Sequence, residues 1–261
     1  MSAMNANAFA EARRLEESGL NAGCALQSLL YDGWLLGYRP GSTKRLRSVN
    51  PFYPSTLPLE EKVAYCTAFY QTQNLPPTFR IVPFSHPATL DGWLEDHGWK
   101  RFDRSLVLRA DVGDLSAPKL PDGAVELVAP PAWEPLVAEL LAIGADAMPG
   151  YVERAARHPL PQIGALIRRE NEVVACGLAR LEGDRAGLFA IHTAKPWRGR
   201  GLGRAIVAAL LAESRRRGAA RAYLQVRDGN APALALYHRF GFATAYAYWY
   251  RAQHEERSQS A

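Results

Sequence analysis

The run Arg198-Gly199-Arg200-Gly201-Leu202-Gly203 stands between a strand-like stretch ending at Thr193 and an amphipathic stretch over residues 201–217. At a strand-to-helix turn, residues without side chains let backbone N–H groups approach a ligand closely. The first helical turn adds unpaired donors and a favourable dipole. That combination seats a pyrophosphate. Lys195, Arg198, Arg200 and Arg204 gather there with no carboxylate between them. Two other phosphate motifs fail: counting G-x-G-x-x-G from Gly199 puts Arg204 at the third glycine, and no Gly-Lys-Ser/Thr is present. Downstream, Asn230 opens an apolar helical stretch, and Tyr237 follows two helical turns later on nearly the same face, which predicts that both point toward one cleft. Asn230 also suits a helix N-cap, and Tyr237 also suits a core aromatic.

The elements around these residues follow from apolar periodicity and turn chemistry. A strand over 124–128 and helices over 133–143 and 151–158 precede strands over 163–169 and 173–181, which are joined at Glu170-Asn171-Glu172 as a hairpin. Another strand covers 188–193. Ile206, Val207, Leu210 and Leu211 recur at helical spacing up to the stop signal Gly218. A strand over 223–226, a helix over 231–239 and an aromatic strand over 243–250 complete this half.

Residues 111–123 hold Gly, Ser, Asp and Pro with little apolar periodicity and are expected to link two domains. Before them, residues 33–38 and 44–49 suggest a hairpin across 39–42, and 59–70 suggest a helix. The segment Phe79-Arg80-Ile81-Val82, a Pro-containing turn, a helix from Ala88 and then His97-Gly98-Trp99 parallels Tyr223-Leu224-Gln225-Val226, a helix and Phe240-Gly241-Phe242. Aligning the two copies needs a one-residue gap. The first lacks the Gly-rich turn, and Leu94 takes the place of Tyr237.

Arg198, Gly201 and Gly203 match the Arg/Gln-x-x-Gly-x-Gly/Ala signature of the GNAT superfamily of N-acetyltransferases, and the Asn230, Tyr237, Gly241-Phe242 series matches its second signature. The second half of the chain therefore resembles that superfamily. The resemblance implies an α/β (α+β) fold of two tandem GNAT-like domains, each a mixed, mostly antiparallel sheet flanked by helices. Residues 1–115 would be a degenerate GNAT-like domain, 121–253 the catalytic acetyltransferase domain, and 254–261 a frayed polar tail. It implies acetyl-CoA as cosubstrate, held by the backbone of Ile191, His192 and Thr193 along its pantetheine arm and by Arg198, Gly199, Arg200, Gly201, Leu202, Gly203, Arg204 and Asn230 elsewhere. Tyr237 would protonate the departing thiolate.

Some relatives carry a catalytic Glu five residues before the Asn; here that position is Gln225, and a carboxamide is no base. His192 titrates near neutrality and is one substitute, provided that strand parity or a bulge turns it to the cleft. A water chain ending at a carboxylate such as Glu182 is another. In the first half, Trp34, Tyr38, Lys44, Arg45 and Arg47 are candidates for an acceptor groove or for an ordinary solvated strand face.

The implied activity is acetyl transfer to a primary amine, on a small molecule or a peptide; the alternative is a noncatalytic CoA-binding or partner-docking module. Composition agrees with a globular chain: 48% of its 261 residues are hydrophobic and 22% charged. The net charge of +5 suits a polyphosphorylated ligand as well as nucleic acid, and the Arg215 to Arg217 triplet reads as a helix end. Cys24, Cys66 and Cys176 are too scattered for a disulfide framework or metal site and are expected to be reduced. No apolar run reaches membrane-spanning length, and residues 1–20 lack a signal-peptide core, so a cytoplasmic protein is expected. A homodimer stays open.

Overall fold

The computed structural model of the chain describes residues 6–23, 27–39, 43–113 and 125–253. Contacts divide it into two compact units: Met1–Val107 with Arg227–Gly229 and Thr244–Ser260, and Leu108–Val226 with Asn230–Ala243. The fold is mixed α/β, with strands flanked by helices.

The first unit begins with α1 (Ala6–Gly23), β1 (Ser28–Tyr31), β2 (Trp34–Gly37), a 3-10 turn (Lys44–Arg47), β3 (Val49–Asn50), α2 (Leu59–Thr72), β4 (Thr78–Ile81), α3 (Leu90–Asp96) and most of β5 (Lys100–Asp111). β1 and β2 form a hairpin across Asp32 and Gly33, both with positive φ (39° and 82°), the turn whose twist suits paired strands. The expected hairpin between 33–38 and 44–49 is present in part, because β2 also pairs antiparallel with β3, Leu36 opposite Val49; only its strand over 44–47 is corrected. Residues 44–47 turn tightly instead, because Lys44 is held by Asp103 at 2.6 Å and Leu46 is buried. Trp34 is core: it is fully buried, packs with Leu36, Phe79 and Trp99, and donates its indole N–H to the His86 carbonyl (2.8 Å).

Helix α1 is tied down by charge. Glu16 and Arg80 are both fully buried and paired, and the Tyr246 hydroxyl donates to Glu16 (2.6 Å). Two charges leave water only when each has a partner, so neither residue tolerates loss of the other.

The second unit contains β6 (Glu126–Val128), α4 (Trp133–Val137), α5 (Met148–Ala156), β7 (Gln162–Arg169), β8 (Glu172–Glu182), β9 (Arg185–Thr193), α6 (Leu202–Arg216), β10 (Arg221–Arg227) and α7 (Ala231–His238). β6 to β9 pair antiparallel in chain order, and β10 joins β9 in parallel. Glu170 (φ 52°) and Asn171 (φ 71°) make the expected hairpin turn between β7 and β8. α6 lays Ile206, Val207, Leu210 and Leu211 against one face of these strands, whereas α4 covers the other through Trp133 and Val137. The helix expected over 133–143 ends at Val137; beyond it, Ala142 takes a positive φ of 52°, which an α-helix excludes.

β11 (Ala243–Ala252) closes the chain, and its residues 249–252 pair antiparallel with β4. Residues 244–253 group with the first unit, and the division between the units falls within β5, after Val107. Most of the expected linker and the 254–261 tail lie outside the described residues. Cys66 and Cys176 are buried free thiols, and Cys24 also lies outside the described residues.

Candidate active site

The register of β9 sets the site. Against β8 it runs evenly to Leu178 opposite Phe189, then slips so that Cys176 faces His192 and Ala175 faces Thr193. Ala190 and Ile191 together oppose Gly177, and Ala190 takes φ 50°: a bulge. The extra residue resets the alternation. A methyl at Gly177 would lie 2.6 Å from Ile206 and 2.7 Å from Ile191, so Ile191 points toward α6. Thr193 shares that face. His192 takes the opposite one, with Cys176, on the side covered by α4.

The other edge of β9 is paired only from Arg185 to Leu188, against Arg221 to Leu224 of β10. Past that point the parallel ladder stops, and the backbone of residues 191–193 faces the gap. Lys195–Trp197 then turns into the Gly-rich loop. Gly199 and Gly201 both take left-handed φ (76° and 80°), which side-chain-bearing residues reach only with strain. Gly201 is the N-cap of α6 and supplies no side-chain acceptor; the first bond of the helix runs from the Ala205 N–H to the Gly201 carbonyl (3.0 Å). The N–H groups of Leu202, Gly203 and Arg204 precede it and point out of the helix end. A methyl at Gly203 would sit 3.6 Å from Leu236 and Thr193, ordinary contact, so this floor position has room for alanine but little more.

A cleft of about 790 Å³ opens here. Ile191, His192, Thr193, Arg198, Gly199, Gly201, Leu202, Gly203, Arg204 and Asn230 all line it. Arg200 and Tyr237 are not among the lining residues. The guanidinium of Arg200 instead lies over the Trp197 ring, 4.8 Å from its centroid. The cleft is electropositive: among the described residues no carboxylate pairs with Lys195, Arg198, Arg204 or Arg239. The Nε of Arg198 donates to the Thr193 carbonyl (3.0 Å), which fixes the loop to the strand end. Trp197 and Arg239 also line the cleft and were not singled out from the sequence. Arg239 sits at a helix end, where a cation already has a reason to be.

Asn230 caps α7, its Oδ1 accepting the Ala233 N–H at 3.2 Å. As a cap it stands half outside the helix, so its side chain leaves the stripe that Tyr237 follows. Tyr237 is buried, with its ring 5.9 Å from that of Phe242, and burial pushes its hydroxyl up to about 12. It is therefore a protonated donor at neutral pH. His192 is held below its ordinary value, first by burial and then by the Arg198 charge, so its imidazole is neutral at pH 7. Burial pushes the Cys176 thiol to about 12, which leaves it unreactive. Glu182 ends β8 opposite Arg185, six residues along from the Cys176 that faces His192, or roughly 20 Å of strand. A single water does not bridge that span.

The family described as probable histone acetyltransferase Rv0428c C-terminal matches residues 9–251. The uncharacterized N-acetyltransferase YobR of Bacillus subtilis (strain 168) is 26% identical over 227 residues, 84% of this chain and 89% of that protein. The [Ribosomal protein bS18]-alanine N-acetyltransferase of Escherichia coli (strain K12) is 35% identical over 79 residues, 30% of this chain and 53% of its own length. A GCN5-related N-acetyltransferase from Kribbella flavida shares the fold with a TM-score of 0.67 at 18% identity, over 94% of this chain and 96% of that one. The chain thus belongs to the GNAT N-acetyltransferases, in the family described as Rv0428c C-terminal, and is an acyltransferase.

Proposed function

We propose that the second unit moves an acetyl group from acetyl-CoA to a primary amine by direct attack. The observation that carries this reading is the gap where β9 parts from β10 after Leu188, aligned with the bare N-terminus of α6. The N–H groups of Leu202, Gly203 and Arg204 hold the pyrophosphate, and Arg198, Arg204 and Arg239 add attraction. The free edge of residues 191–193 pairs with the pantetheine amides as a further strand does, and its N–H groups polarise the thioester carbonyl.

His192 takes the proton that the amine sheds as its nitrogen bonds to the carbonyl carbon. Tyr237 gives its proton to the sulfur as the C–S bond breaks. Gln225 cannot serve as base, and neutral His192 can. The first unit belongs to this reading as a degenerate GNAT-like domain with Leu94 at the acid position. The setting is cytoplasmic, with Cys66 and Cys176 as free thiols.

The test is thiol release from acetyl-CoA with an N-terminal alanine peptide, a lysine peptide, spermidine, glucosamine and kanamycin as acceptors. At least one is expected to give turnover. Tyr237→Phe is expected to lower kcat about 100-fold, within the range of a general acid, with the calorimetric affinity for acetyl-CoA within twofold of wild type. Full turnover in that variant removes Tyr237 from the mechanism. Absence of acetyl-CoA binding removes the whole reading.

A further inference from the structure

Glu134 is a poorly partnered carboxylate of the second unit. It lies in the first turn of α4 and is only 3% exposed. Among the described residues it makes no hydrogen bond and no ion pair within 4.0 Å. Neither carboxylate oxygen is completely sealed off. A carboxylate in such a place normally gathers two or three donors, and leaving it without them is costly. Burial raises its pKa, and the Arg180 charge only partly opposes this. Arg180 is itself engaged, its Nε donating to Gln162 (3.2 Å).

Its surroundings are rigid. The neighbouring Trp133 donates its indole N–H to the Ala165 carbonyl (3.1 Å), and Trp133 and Val137 pack on Leu166, Cys176 and Leu178. Cys176 is the residue that faces His192 across the β8–β9 ladder. Glu134, Cys176 and His192 therefore belong to one face of the sheet, and Ile191, Thr193 and the Gly-rich turn to the other.

That division assigns sides to the reaction. If the turn before α6 seats the diphosphate, the α6 face is taken by the donor, and the nucleophile reaches the acetyl carbon from the face of His192. We infer that Glu134 is a positioning residue of the acceptor subsite, a buried anion that receives the cationic primary amine and, once the ammonium has given its first proton to solvent water, presents the free amine beside His192, which takes the second proton on attack. The inference rests on the amine-acceptor reading above. An arriving ammonium supplies the missing donors, and a stabilising residue at this place would have been apolar or amide.

Glu134→Gln separates this role from a structural one. With spermidine and with the N-terminal alanine peptide, KM for the amine is expected to rise at least tenfold. kcat should stay within threefold, and KM for acetyl-CoA should not change. The melting temperature is expected to hold or rise, because an unsupported buried charge has been removed. An unchanged amine KM overturns the inference while leaving the acetyltransferase reading intact. A fall of several degrees in melting temperature also overturns it, since that marks Glu134 as a structural partner of Arg180. Where wild type turns over another of the five acceptors instead, KM is read with that amine; should it acetylate none of the five, the amine-acceptor reading fails on its own, and the melting result still decides whether the Glu134 charge supports the fold.

Discussion

Two stretches of this chain build the same corner with different chemistry. β4, α3, Gly98 and β5 follow one another as β10, α7, Gly241 and β11 do. In the first, the Trp99 N–H reaches the Leu94 carbonyl (2.9 Å) and the Gly98 N–H the Glu95 carbonyl (3.0 Å). In the second, the Phe242 N–H reaches the Tyr237 carbonyl (3.2 Å) and the Gly241 N–H the His238 carbonyl (3.0 Å). Both glycines take left-handed φ, 80° and 72°. This helix-ending motif is satisfied by main chain and glycine alone, so it leaves the side chain that closes the loop free to vary. One copy uses that freedom for a core leucine and the other for a hydroxyl.

The helices differ too. α3 is clamped: Arg251 bonds Asp91 (2.7 Å) and Glu95 (3.2 Å), and the Trp249 indole bonds Asp91 (3.0 Å). α7 instead turns Pro232, Ala233 and Leu236 to the cleft, and Arg239 just past its end has no ion pair among the described residues. One helix is held in place, and the other offers a surface.

The strongest way to break this comparison is to exchange the losses. Leu94 is fully buried, so Leu94→Ala is expected to cost about 2–5 kcal/mol of stability, with thiol release per folded molecule unchanged. Tyr237→Phe should do the reverse, with stability within about 1 kcal/mol and kcat down about 100-fold. Chemical denaturation and single-turnover assays on both variants give the four numbers. A Leu94→Ala protein that folds well and turns over slowly would assign catalytic importance to the wrong corner.

His192 has no counterpart in the first copy, and pH isolates it. An imidazole accepts a proton only when neutral, and this one stays neutral to below its ordinary 6.5 because of burial and Arg198. Activity is therefore expected to fall on acidification with a midpoint under 6.5, as the folded-state imidazole charges. His192→Gln should lose about tenfold or more in kcat/KM above that point and lose the limb with it. A limb that persists in the variant hands the proton to another group.

The second unit was legible in the sequence because its signals are local. Glycines at the turn, an apolar stripe at helical spacing and a Glu-Asn hairpin each act within a few residues. The bulge that sends His192 to the α4 face was not legible, since it exists only in the slip of β9 against β8. α1 was missed because its anchor is Glu16 on Arg80, a pair across 64 positions that looks like two ordinary surface charges. β5 was missed because Arg101, Asp103, Arg104 and Arg109 interrupt its alternation. The Arg104 charge is answered by Asp228, 124 positions away. Lys44 to Arg47 has strand-like composition, but a distant carboxylate and one buried leucine decide its turn. Glu134 gave no sign of itself, because a glutamate in a first helical turn is the residue expected there.

The smallest effect is the sharpest test of equivalence. Gly98→Ala and Gly241→Ala each force an L side chain into left-handed backbone, at about 1–2 kcal/mol. A methyl at Gly98 meets nothing within 4 Å, so its cost is backbone strain alone. If the two corners are the same device, denaturant midpoints should report costs within about 1 kcal/mol of each other. Only Gly241→Ala should also slow thiol release, by a few-fold, because the strain relaxes into the turn that aims Tyr237. Equal slowing in both variants would mean that the first corner also reaches the chemistry.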